Sequence, residues 1–252
     1  MLEAVLFDLD DTLLGNSMDT FLPAYFRALT RYLEHVIPPE RLIAQLMHAT
    51  GAMDAQHSAQ LTNEEAFASA FYPALEQDRS TLERLFQRFY IEEFPKLRPL
   101  TCVRPEARFL VERVLDQDLQ VVVATNPMFP RIAVEQRLAW AAVPVDQFDY
   151  ALVTTYENMH ATKSHPAYYR EILSRIGRCP DECLMVGDSW ELDMVPASSV
   201  GLRVFWITDG DEPPLAGGAP LVTPDELLIG YGTLAELLAL VRERDWFPKA
   251  WR

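Results

Sequence analysis

Apolar positions along the chain keep two rhythms. The run AVLF at residues 4 to 7 is unbroken, as in a buried strand, and it ends on three carboxylates, Asp8, Asp10 and Asp11. From Leu22 the rhythm becomes helical: Leu22, Tyr25, Phe26, Leu29 and Leu33 recur at that spacing, and Leu82, Leu85, Phe86, Phe89 and Tyr90 repeat it. Thr62 with Glu65 and Ser80 with Glu83 have the spacing of capping boxes, so residues 16 to 98 read as consecutive helices without a strand.

Beyond Arg104 strands alternate with helices. A helix over 105 to 117 leads to VVVATN at 121 to 126, then come a helix over 130 to 141, the short strand ALVTT and a helix over 166 to 176. CLMVGD at 183 to 188, another helix and RVFWIT at 203 to 208 complete the series. Continuously apolar strands in such alternation predict a parallel sheet covered on both faces. The strand at 3 to 8 joins that sheet, which makes the helical block an insertion between its first two strands. GDEPPLAGGAP at 210 to 220 reads as a loop, and the tail after Leu240, with Trp246, Phe247 and Trp251, carries no clear signal.

All strands of a parallel sheet end on one side, and ligands bind at that edge. Asp8 and Asp10 end the first strand, Thr125 and Asn126 end the second, and Gly187, Asp188 and Ser189 end the one in CLMVGD. Asp193 follows five residues after Asp188, and Lys163 precedes the helix that feeds the Asp188 strand. Charges enter a core only when a metal or counter-charge offsets the cost of desolvation, so this carboxylate group predicts a cation.

Composition narrows the partners. With 37 acidic residues against 22 basic ones and a net charge of −15, the chain lacks the positive surface that nucleic acids and anionic membranes require. An anionic substrate must then be held by a local device. Cys102, Cys179 and Cys183 have neither zinc-ligand spacing nor a paired framework, which predicts a reducing compartment. No stretch approaches the roughly 20 apolar residues of a spanning helix, and no basic leader precedes the first strand, so a soluble cytoplasmic protein is expected.

FDLDDT at 7 to 12, ATN at 124 to 126, TKSHP at 162 to 166 and GDSWELD at 187 to 193 resemble, in order, the four motifs of the haloacid dehalogenase-like hydrolases. The resemblance implies an α/β fold: a Rossmann-like catalytic core over 1–15 and 99–252, with an inserted all-helical cap over 16–98. It implies that Asp8 is a nucleophile toward a phosphoryl group, and that Asp8, the backbone carbonyl of Asp10 and the Asp188 side chain hold Mg2+. Asp10 would act as general acid and base, its side chain turned away from the metal. Dehalogenases of the family lack an aspartate there, so Asp10 points to phosphatase chemistry.

Thr125 and the Asn126 N–H would clamp phosphate oxygens, and Lys163 would neutralise phosphate and nucleophile. Asp193 reads equally as a residue that orients a bound water or Lys163 and as a first-turn acid favourable to the helix dipole. The family commonly has proline after the motif lysine, where this chain has Ser164 and then His165. His160 and His165 read as surface residues, Thr12 as a turn residue, and Tyr25, Phe26 and Tyr32 as cap core. The expected activity is hydrolysis of a small phosphorylated metabolite through an aspartyl-phosphate. A phosphomutase that shields this intermediate from water is the rival within the class, and a catalytically silent binding protein the rival outside it.

Overall fold

The computed structural model of the chain describes residues 1–56, 60–209 and 227–242. The expected loop at 210–220 and the aromatic tail beyond residue 242 lie outside them. Strands β1 (Ala4–Phe7), β4 (Gln120–Val123), β5 (Leu152–Val153), β6 (Cys183–Gly187), β7 (Arg203–Ile207) and β8 (Leu228–Gly232) form one parallel sheet in the order β5-β4-β1-β6-β7-β8. β2 (Leu14–Gly15) and β3 (Cys102–Val103) pair antiparallel at the two connections to the helical insertion.

Side-chain alternation divides the sheet's two faces. Val5, Phe7, Val121, Val123, Leu184 and Val186 enter one apolar cluster, whereas Ala4, Leu6, Val122 and Met185 enter another. The second face is covered by α7 (Pro166–Ile176) and the short α8 (Val195–Ser199). The first is covered by α5 (Pro105–Leu115), α6 (Arg131–Trp140) and α9 (Leu234–Arg242). β8 and α9, which follow the loop-like stretch, were not expected from the pattern of residues.

The insertion contributes α1 (Met18–Leu33), α2 (Pro39–Ala55), α3 (Asn63–Phe71) and α4 (Arg79–Glu92), followed by a 3-10 segment at Phe94–Leu100. This cap shares the core's larger apolar cluster. Phe21 meets Phe94 edge-on at 5.9 Å, and Phe94 stacks on Trp140 of α6 at 5.3 Å. On the other side the cap is tied by hydrogen bonds. The Asn63 N–H donates to the Met159 carbonyl at 2.7 Å, and its fully buried side chain donates to the carbonyls of Pro127 and Ala161. Asp54 Oδ1 accepts the hydroxyls of Thr162 at 2.5 Å and Ser164 at 3.0 Å.

Two local expectations need correction. Ser80 and Glu83 do not form a capping box: the N-cap of α4 is Asp78, whose carboxylate accepts the Thr81 N–H at 3.0 Å and the Ser80 hydroxyl at 2.6 Å. An anionic acceptor at the positive end of the helix outcompetes a hydroxyl, and Glu83 instead pairs with Arg79. The Thr62–Glu65 box forms as the spacing predicts. The helix expected after CLMVGD begins as a π turn at Trp190–Met194, because Ser189 caps Leu192 and Asp193 folds back beneath it.

The cap of α4 supplies a stability prediction. Asp78→Ala should lower the melting temperature by a few degrees, and Ser80→Ala by clearly less; calorimetry showing the reverse order would restore the hydroxyl cap.

Candidate active site

β1, β4 and β6 end side by side, and their last backbone bonds fix where the polar groups start. The Asp8 N–H still donates to the Val186 carbonyl, so Asp8 leaves the sheet directly beside the end of β6. β4 ends earlier than expected because the Thr125 carbonyl turns from the ladder to accept the hydroxyls of Thr154 at 2.7 Å and Tyr168 at 2.9 Å. Asp8, Asp10, Thr125, Asn126, Lys163, Asp188 and Asp193 all line one cavity of about 430 Å³.

Lys163 organises the buried side of this cavity. Its ammonium donates to Asp8 at 2.5 Å and to Asp193 at 2.6 Å, and all three residues are buried. The Lys163 N–H also donates to the Asn126 side chain at 3.2 Å. Asp193 has no exposed surface: Oδ1 accepts from Lys163 and Tyr169, and Oδ2 accepts the Ser189 N–H at 3.1 Å. This packing depends on Gly187, where an added Cβ would lie 2.3 Å from Asp193 Oδ2.

The protonation equilibria register a shortage of positive charge. Burial pushes Asp8 well above the usual carboxylate range, with Lys163 opposing and the neighbouring aspartates assisting. Asp188 is pushed up to about 6, first by burial and then by Asp193. For Lys163, burial alone would lower the ammonium's affinity for its proton, but Asp193 and Asp8 together hold it well above the ordinary lysine range. Carboxylate oxygens of Asp8, Asp188 and Asp193 lie within 4.8 Å of one another, a set of hard donors that suits a divalent cation. Both oxygens of Asp193 are already engaged, whereas Asp188 Oδ1 accepts the Thr12 hydroxyl at 3.2 Å and the Asp188 carboxylate lies against that of Asp8. A cation therefore fits between Asp8 and Asp188.

Asp10 faces the opposite way. Its Oδ1 accepts the Asn16 side-chain amide at 2.6 Å, and Oδ2 accepts a charge-assisted bond from Arg137 Nη1. Arg137, on α6, has no exposed surface, and its guanidinium lies over the Phe129 ring with Cζ 4.6 Å from the centroid. Sequence reasoning missed this residue. A lone arginine in a helix of mixed polarity gives no signal until the fold brings it against a partner 127 positions away in the sequence.

His165 accepts the Ala167 N–H at 3.2 Å as the N-cap of α7, and His160 pairs with Glu171 at 2.7 Å, so neither imidazole enters the cavity. Asp11, with φ 53°, accepts the Asn16 N–H in the turn after β1. Tyr25 and Phe26 line a second cavity beside the first, while the Tyr32 hydroxyl reaches Glu92 at 3.4 Å.

A family profile described as haloacid dehalogenase-like hydrolase matches residues 2–201. Among solved structures, a haloacid dehalogenase-type phosphatase from Thermococcus onnurineus superposes with a TM-score of 0.58 at 23% identity, covering 96% of this chain and 98% of that one. A Thermotoga maritima protein assigned as a β-phosphoglucomutase gives 0.56 at 19%, covering 96% and 100%. An L-2-haloacid dehalogenase gives 0.51 at 18%, covering 95% and 98%. At these identities the likeness concerns the fold, which carries different chemistries in the three. No curated protein sequence matches significantly.

The Asp10–Arg137 contact yields a double-mutant cycle. Arg137→Met should cost roughly 3 kcal/mol, as for removal of one partner of a buried ion pair, and clearly less in an Asp10→Asn background. Equal costs by urea denaturation would show that the two residues do not act as a pair.

Proposed function

The chain belongs to the haloacid dehalogenase-like hydrolases and is thus an enzyme of that class, and from this premise we propose that it is a magnesium-dependent phosphatase of small phosphomonoesters. The observation that carries the reading is Asp10. A carboxylate two residues after the nucleophile, turned from the metal-facing side and held by Arg137 and Asn16, suits a proton shuttle for an alcohol leaving group. A dehalogenase, whose leaving group is halide, needs no such acid, and neither does a binding protein.

Asp8, the Asp10 backbone carbonyl and Asp188 would hold the magnesium ion, which supplies positive charge to the phosphoryl oxygens. Asp8 attacks phosphorus, the bond from phosphorus to the ester oxygen breaks, and Asp10 delivers its proton to the departing alcohol. Asp10, now a carboxylate, takes a proton from water as that water attacks the aspartyl-phosphate. Inorganic phosphate leaves and Asp8 is regenerated. Thr125 and the Asn126 N–H donate to the phosphoryl oxygens in transit, and Lys163 balances their charge while Asp193 holds it in place. The division into a core of 1–15 and 99–252 and a cap of 16–98 belongs to the same reading, supported by the β2–β3 ribbon that joins the two connections.

Asp8→Asn should abolish phosphate release from a chromogenic ester in the presence of magnesium. Asp10→Asn should lower kcat by about 10² to 10⁴ while leaving Asp8 open to phosphorylation by an activated donor. Mass spectrometry that finds the phosphate on another residue, or full activity in Asp8→Asn, contradicts the mechanism.

Metal binding has a readout apart from turnover. A carboxylate whose folded pKa is raised costs stability above its unfolded value of 3.8, so Asp188 destabilises the metal-free protein increasingly as pH rises through about 6. Below about 6 a proton competes for the same oxygens. Magnesium should then raise the melting temperature strongly at pH 7.5 and weakly at pH 5. Asp188→Asn should raise the metal-free melting temperature at pH 7.5 and remove the magnesium response. An undiminished response in that variant places the metal elsewhere.

A further inference from the structure

A second cavity, of about 250 Å³, opens beside the catalytic one under the cap. Leu22, Met128 and Phe129 line both, so the two adjoin at those side chains. The characters of the two spaces differ. The catalytic cavity is ringed by aspartates, Asp11 and Asp19 included, and Lys163 is the one cation on its wall among the described residues. The second cavity has aromatic and aliphatic walls, with Phe67 and Phe86 from α3 and α4, and no charged side chain among the described residues lines it.

Two of its hydroxyls satisfy each other. The hydroxyls of Tyr25 and Tyr90 bond to each other at 2.9 Å, which presents their rings rather than their hydroxyls. Burial pushes the phenols of Tyr25 and Tyr72 up to about 12, so both stay uncharged at neutral pH. An apolar cavity of about 150 Å³ accommodates benzene, so the larger space here takes a ring with a short chain, or two fused rings.

Resting on the phosphatase reading, we propose that this cavity receives the alcohol part of the substrate, and that the substrate is a phosphomonoester of an uncharged apolar alcohol bearing an aromatic ring or a short alkyl chain. The charge distribution points the same way. A carboxylate or second phosphate on the leaving group would meet the aspartates of the catalytic cavity, whose one cation among the described residues, Lys163, is already held between Asp8 and Asp193. An apolar group gains by leaving water and loses nothing by desolvation.

The test is a series of 4-alkylphenyl phosphates from phenyl to 4-butylphenyl, whose leaving-group acidity barely changes with chain length. With magnesium and the full-length protein, kcat/KM should rise about fourfold per added carbon, hence roughly 250-fold over the series. Met47, 58% exposed at the rim of the cavity, is replaced without disturbing the core, and Met47→Lys should cut the ratio of butylphenyl to phenyl activity at least tenfold. Release of phosphate at rates that stay flat along the series, or a preference for phosphoglycolate or a sugar phosphate over the butylphenyl ester, overturns the inference and leaves the phosphatase reading standing. If no ester is hydrolysed, the phosphatase reading falls. Calorimetric titration with 4-butylphenol then decides the cavity alone: binding by the wild type that weakens in Met47→Lys retains it as an apolar ligand site, and no binding removes it.

Discussion

One ammonium group governs the charge balance of the site. Lys163 Nζ sits between Asp8 and Asp193, and neither carboxylate is viable in its burial without that proximity. The arrangement still leaves the cluster short of positive charge, because Asp188 and Asp8 share the remaining space. Asp193 gives one oxygen to Lys163 and is itself anchored by the Ser189 N–H on the other, so the ammonium's partner is held in place, and Gly187 is the residue that lets Asp193 come so close.

A second ion pair holds Asp10 apart from this cluster. Arg137 takes Asp10 to the side of the cavity that faces α6, while Lys163 keeps Asp8 on the side that faces α7 and α8. Two aspartates separated by a single residue thereby acquire different environments. Phe129 links this division to the cap, since its ring carries the Arg137 guanidinium on one hand and meets Tyr25 at 5.3 Å on the other. A change in how the cap packs is felt at Asp10 through these two contacts.

Much of the site was legible because strand ends are local features. An apolar run that stops on an aspartate, or on Thr125–Asn126, announces both the element and the polar group it delivers, and parallel pairing then brings the ends together without further information. The fold class was legible for the same reason. Arg137 was not, because its meaning depends on a partner supplied by tertiary packing. Asn63 and Asp54 were hidden likewise, their partners lying in a loop of the core. Ser164 showed in the sequence as a departure from the family's proline, and its structural counterpart is the hydrogen bond its hydroxyl donates to Asp54, which a proline has no group to donate. β8 and α9 escaped because the helical and strand rhythms there are short and follow a stretch rich in proline and glycine.

The bonds that tie the cap to the loop on either side of Lys163 bear on traffic through the enzyme. Asp54 grips Thr162 and Ser164, the immediate neighbours of Lys163, and Asn63 grips the carbonyls of Met159 and Ala161 in the same loop. At about 1 kcal/mol for each buried bond, parting this seam is a rare excursion rather than a free swing. Any parting of the cap on this side therefore breaks bonds to the very loop that carries the ammonium, so the seam and the charge centre stand or fall together.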